Sequence, residues 1–107
     1  LDHHEPGRQV GEAHRAVGCG AYRFLDEGIA EIKRMYARPE GRNVGAALLA
    51  YLETSAKAKG YKHCWLETRR VNARAVNFYR KHGYREIANF GKYAGRAEAI
   101  CFAKELS

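Results

Sequence analysis

Residues 38–52 read R-P-E-G-R-N-V-G-A-A-L-L-A-Y-L and join two different patterns. Before them an apolar, strand-like run ends at Ala37. After them a segment with helical spacing starts at once. Pro39, Gly41 and Gly45 turn the chain between the two. A strand–turn–helix join of this kind aims several free backbone N–H groups and a helix N-terminus at one point, which suits an anion. Arg42, Asn43, Val44, Gly45 and Ala46 stand at that point, small enough for close approach, with Arg42 adding a charged donor fork. A Walker loop is excluded because no Lys-Ser/Thr follows the last Gly. A dinucleotide fingerprint is excluded because G-x-G-x-x-G is missing. On the turn alone, an ordinary Gly-containing connector is an equal alternative.

Upstream, residues 1–15 have turn signals and little apolar content, so an irregular start is expected. His3, His4 and Glu5 lack helical spacing to a further ligand, and a solvated terminus is expected there rather than a metal site. Residues 16–25 and 29–38 read as two strands joined by Asp26-Glu27-Gly28, an antiparallel hairpin. Downstream, residues 45–59 place Leu48, Leu49, Leu52 and Ala56 on one helix face, and Gly60 stands as the C′ glycine. Residues 61–68 then read as a strand parallel to the one before the helix, which makes a β-α-β unit. A second helix starts after its N-cap Asn72, with Val71 placed to staple onto Val76, and ends at Gly83. Strands near 84–88 and 97–104 follow, separated by a connector suited to covering a ligand.

At 107 residues with 46% apolar and 29% charged residues, the chain fits one globular domain. No run approaches the roughly 18 apolar residues of a membrane span, and a cytoplasmic protein without membrane partners is expected. Cys19, Cys64 and Cys101 are odd in number and form no C-x-x-C pair, so reduced structural thiols are expected. The net charge of +7 favours polyanionic partners, but it is scattered.

Two side chains outside the turn carry chemistry. Tyr79 lies on the apolar stripe of the second helix; it is either a core tyrosine or, beside a thioester, a proton donor to a departing thiolate. Glu31 shares a strand with Ile32, Met35 and Tyr36. It either faces a cleft, where it could serve as a base for an ammonium substrate, or sits on a solvated outer face.

The succession A-E-I-K-R-M-Y-A-R-P-E, G-R-N-V-G-A-A-L-L, G-Y-K-H-C-W-L-E-T and N-A-R-A-V-N-F-Y-R-K-H-G-Y resembles the GNAT N-acetyltransferase superfamily over about residues 16–104. The resemblance implies an α/β (α+β) fold with a mixed sheet that splays at the β-α-β unit, where acetyl-CoA enters as co-substrate without a metal. It implies pantetheine contacts along Met35, Tyr36 and Ala37, pyrophosphate contacts from Arg42 to Ala46, and a cofactor contact at Asn72. Tyr79 matches the general acid, which also touches the cofactor, and Glu31 the strand base of one branch. Phe90 and Tyr93 would flank the acceptor, expected to be a small-molecule primary amine.

Two departures accompany the resemblance. The family loop, R/Q-x-x-G-x-G/A, fits Arg42 to Ala47 when counted from Pro39. Counted back from the helix leucines, it puts Glu40 at the Arg position and leaves the segment two residues short. A strand and two helices that the family has ahead of residue 1 would also be missing, and an apolar edge left by them would favour a homodimer. A silent CoA-binding module and an interaction module are the rivals. A nucleic-acid-binding domain using Arg69, Arg70, Arg74, Arg80 and Lys81 is disfavoured, because no stacking aromatics interleave with those charges.

Overall fold

The computed structural model describes residues 10–15, 18–37 and 44–107. Six strands form one mixed sheet: β1 Gly11–Arg15, β2 Gly18–Asp26, β3 Ile29–Ala37, β4 His63–Arg69, β5 Arg85–Ile87 and β6 Ala99–Glu105. Their order is β1-β2-β3-β4-β6-β5, antiparallel except for the β3–β4 pair. Helix α1, Val44–Ala58, links β3 to β4, and α2, Ala73–Lys81, links β4 to β5. The β-α-β unit is therefore present. The stretch Gly11–Arg15 corrects the expectation of an irregular start through residue 15, since it pairs along its whole length with β2. Residues 1–9, with His3, His4 and Glu5, lie outside the described residues, as do residues 38–43, with Arg42 and Asn43.

Both helices end as their glycines dictate. Gly60 has φ +99° and Gly83 φ +93°, a region costly for a residue with a Cβ. Behind them the N–H of Tyr61 donates to Ala56 O and that of Tyr84 to Tyr79 O, closing a Schellman turn each time. One face of the sheet meets both helices. Tyr22, Ala30, Ile32, Leu66, Ile100 and Phe102 from the strands pack there with Leu49 and Leu52 of α1 and Tyr79 of α2. By strand alternation, Arg23, Glu31, Lys33, Trp65 and Glu67 belong to the opposite face.

A bulge interrupts β3. Cys19 pairs with Tyr36 and Ala21 with Lys33, so Gly20 alone stands opposite Arg34 and Met35. Arg34 takes φ +54°, the one non-glycine with positive φ among the described residues. A Cβ on Gly20 would lie 2.9 Å from Leu52 Cδ1 and 3.0 Å from Met35 Sδ, which explains the glycine. The extra residue shifts the phase of the strand: Ile32 and Met35, three apart, both turn to the core. The guanidinium of Arg34 points out to Glu12 of β1, 3.2 Å away.

Candidate active site

The parallel strands separate three residues before this bulge. β3 and β4 pair only at Ile29–His63, Ala30–Cys64 and Glu31–Trp65. Beyond Glu31, β3 runs six more residues without β4 beside it, and a cleft of about 230 Å³ opens between them. Glu31, Lys33, Met35, Glu67, Asn72, Tyr79 and Tyr93 are among its lining. Tyr79 comes from the helical face of the sheet and the two carboxylates from the other, so the gap joins the two faces.

Tyr79 is 8% exposed and ringed by Phe78, Tyr84 and Phe102 at centroid distances of 5.3, 5.7 and 6.3 Å. Burial pushes its pKa up to about 12, so it stays protonated at neutral pH. Among the described residues nothing hydrogen-bonds its hydroxyl. No fully buried side-chain N or O atom of the described residues is left unsatisfied, so this hydroxyl reaches the cleft.

Glu31 faces the cleft and is 2% exposed, which settles the choice between cleft and solvated face. Its burial is compensated by charge. Arg23, its register partner on β2, brings Nε and a terminal nitrogen each to 3.1 Å of Oε1. Lys33 Nζ stands 3.6 Å from Oε2 and donates at 3.0 Å to the hydroxyl of Tyr93. That hydrogen bond, helped by Glu31 and opposed by desolvation, holds the Lys33 ammonium above its ordinary pKa.

Tyr93 is set by the connector before β6. A 3-10 turn, Gly91–Tyr93, starts from Gly91 at φ +55°, and Asn89 Nδ2 donates to the carbonyls of Tyr93, Arg96 and Ala99. Phe90 packs between Trp65 and Tyr93, at 5.2 and 5.5 Å, and supports Tyr93 rather than lining the cleft.

Of the other expected residues, Met35 lines the cleft, Tyr36 is 57% exposed and Ala37 ends the strand, all past the last β3–β4 pair. Val44, Gly45 and Ala46 form the first turn of α1. Val44 lies beside the end of β3: a Cβ placed on Gly18 would be 2.8 Å from Tyr36 O and 3.1 Å from Val44 Cγ1. Asn72 caps α2 as expected, its Oδ1 accepting from Ala75 N at 3.0 Å. The staple is not made, because the turn before the cap leaves Val71 83% exposed. Asn72→Ala should cost about 1 kcal/mol, a fall in Tm of roughly 4–8 °C by thermal melting, and Asn72→Asp should restore most of it.

Lys33 and Glu67 escaped the residue-by-residue reading. The signal was strand alternation: Lys33 lies two residues from Glu31, and Glu67 two from Trp65, the register partner of Glu31. Among the described residues Glu67 has no ion pair or hydrogen bond from its side chain. Of the basic residues around α2, Arg70 and Arg80 both turn to Glu86, at 3.6 and 3.5 Å.

A mixed sheet opened between parallel strands, with a helix starting at the mouth of the gap, is the fold of an acyltransferase family. The chain belongs to the acetyltransferase (GNAT) family, whose profile matches residues 2–84. It is 39% identical over 93 residues to an IAA acetyltransferase of Azospirillum brasilense, covering 84% of this chain and 61% of that protein. Among solved structures, a Klebsiella pneumoniae protein assigned as an acyl-CoA N-acyltransferase superposes with TM-score 0.80 at 34% identity, over 86% of this chain and 65% of the other. The Thermoplasma acidophilum PaiA N-acetyltransferase in complex with coenzyme A gives 0.70 at 26% identity, over 83% and 53%. The chain thus spans less than two thirds of the length of each of these relatives.

Proposed function

We propose that the cleft transfers an acetyl group from acetyl-CoA to a primary amine of a small molecule, in a cytoplasmic enzyme. What carries this is the separation of β3 from β4 after Glu31, with the Tyr79 hydroxyl open to the gap. The backbone of Met35–Ala37, unpaired towards β4, has the free strand edge that an extended amide-bearing arm needs. The free N–H groups of the α1 N-terminus, beside the end of β3, support a pyrophosphate site there, and Arg42 and Asn43 are the proposed side-chain contacts. A relative of this fold holds coenzyme A, which supports the same co-substrate here.

The chemistry is amide formation: the neutral amine bonds to the acetyl carbon, the carbon–sulfur bond breaks, and the amine gives up a proton. Residues of this chain hold the two partners in line, offer N–H groups near Met35–Ala37 to the carbonyl oxygen, and donate from Tyr79 to the sulfur. The proton taken from the amine requires a carboxylate. Glu31 is the family-based choice, but Arg23 and Lys33 already occupy it, whereas Glu67 in the same cleft is unengaged among the described residues. Glu67 is therefore assigned as the base and Glu31 as the anchor of the two cations. Glu67→Gln is expected to lower kcat/KM by about 10²-fold in steady-state kinetics. Glu31→Gln should lower it by much less. The reverse pattern would return the base to Glu31.

The proposal as a whole is tested by mass spectrometry of primary amines incubated with acetyl-CoA, following acetylated product and released CoA. Acetyl-CoA binding without turnover on a broad panel would identify a silent CoA-binding module. Failure to bind acetyl-CoA would leave an interaction domain.

A further inference from the structure

The cleft contains a positive charge that only shares its counter-ion. Two cations, Arg23 and Lys33, divide one anion, Glu31, and among the described residues the other cleft carboxylate, Glu67, forms no ion pair with either. The distribution is unequal. Arg23 makes both short contacts to Glu31, from the face where it is 57% exposed, and satisfies Oε1. Lys33 stays beyond hydrogen-bond distance of Oε2, is 30% exposed, and donates to the neutral Tyr93 hydroxyl. An ammonium has three donors, and one of them is used here. The Tyr93 oxygen that accepts from Lys33 keeps its own O–H to donate. Lys33 and Tyr93 both line the cleft. They therefore form a pair of donors, one charged, matching a carboxylate.

We infer that the acceptor is an amine that also bears a carboxylate, an amino acid or a related amino carboxylate, whose anionic end is held by Lys33 and Tyr93. This rests on the proposed acetyl transfer and adds the substrate class to it. A simple ion-pair role for Lys33 would orient its donors to Glu31 alone. Instead Asn89 fixes the connector at the Tyr93 carbonyl, and Phe90 and Lys33 hold the ring and its hydroxyl. The cleft then has an anionic position at Glu67 for the amine and a cationic one at Lys33 for the acid.

The test uses the full chain, acetyl-CoA, and a series of amino carboxylates with one to five carbons between the groups, each paired with its methyl ester. The ester keeps the amine and the spacing and replaces the charge by one added methyl group. At the best spacing the free acid should exceed its ester in kcat/KM by about tenfold or more, the range of a charge-assisted contact. Lys33→Met should bring that ratio close to one, Tyr93→Phe should reduce it severalfold, and Lys33→Arg should retain part of it. A general loss of folding lowers acid and ester alike and leaves the ratio unmoved. Equal use of acids and esters by the wild type, or a ratio unaltered by Lys33→Met, would overturn the inference while acetyl transfer stands. If no amine is acetylated, the proposed function fails. Calorimetric titration of the CoA-loaded protein with the same acid–ester pairs then decides the carboxylate site separately: equal or absent heats for the two overturn it.

Discussion

Tyr79→Phe is expected to lower kcat by about 10²-fold, with acetyl-CoA binding still measurable by calorimetry. The size follows from where the hydroxyl sits. Burial holds it at a pKa of about 12, above the roughly 8.5 of an ordinary thiol. Full proton transfer to a free thiolate would be uphill by about 5 kcal/mol. In the proposed mechanism the hydroxyl is instead a hydrogen-bond donor whose contact with sulfur strengthens as negative charge builds, which is a gain confined to the transition state. Steady-state kinetics with the best amine of the panel provides the measurement. A kcat equal to that of the wild type would remove Tyr79 from the mechanism. Loss of acetyl-CoA binding together with kcat would make it a binding residue alone.

The second large effect is on stability in alkali. Cys64, Tyr79 and Tyr84 are neutral acids buried in one core, and burial raises all three pKa values, that of Cys64 from 9.0 to about 12. Such groups favour the folded state in full below their unfolded pKa values and lose that contribution as pH rises through the folded ones. Erosion therefore begins near pH 9 with Cys64, is joined by the tyrosines above pH 10, and is complete for Cys64 and Tyr79 past about 12. Cys64 and Tyr79 together amount to at least about 5 kcal/mol, comparable with the whole stability of a small domain. Tyr84 adds to this, because its hydroxyl donates at 2.8 Å to Glu53, which Lys104 also binds at 3.0 Å, and ionisation would set two anions together. Circular dichroism against pH should show cooperative unfolding between about pH 10 and 12, accompanied by tyrosinate absorbance. Cys64→Ala should move the transition to higher pH. Tyrosine ionisation with full retention of the fold would contradict this account.

The two helices were legible because their ends are marked locally: Gly60, Gly83 and Asn72 each act within one turn of their own position. The hairpin at Asp26–Ile29 was legible for the same reason. β1 was not, since G-E-A-H-R has no apolar alternation and becomes a strand only by pairing with β2. The bulge was not either, because nothing in K-R-M announces that Arg34 will take positive φ. At the site, Tyr79 followed from its place on the helix. The face of Glu31 depends on Arg23, eight residues away across a hairpin, and on the register of β4. Lys33 carries no local mark beyond its place next to Arg34, and those two side chains go to different neighbours, Tyr93 and Glu12.

The bulge also bears on how such a site can change over time. The surplus residue opposite Gly20 sits in the part of β3 that runs free of β4, and it is fixed by the count of residues in a strand rather than by their side chains. Point substitutions along β3 leave that count untouched, and only an insertion or deletion alters it. The residues lining the cleft are thereby released from setting the phase of the strand. They can be exchanged one at a time, with the character of the lining drifting while the bulge is inherited intact.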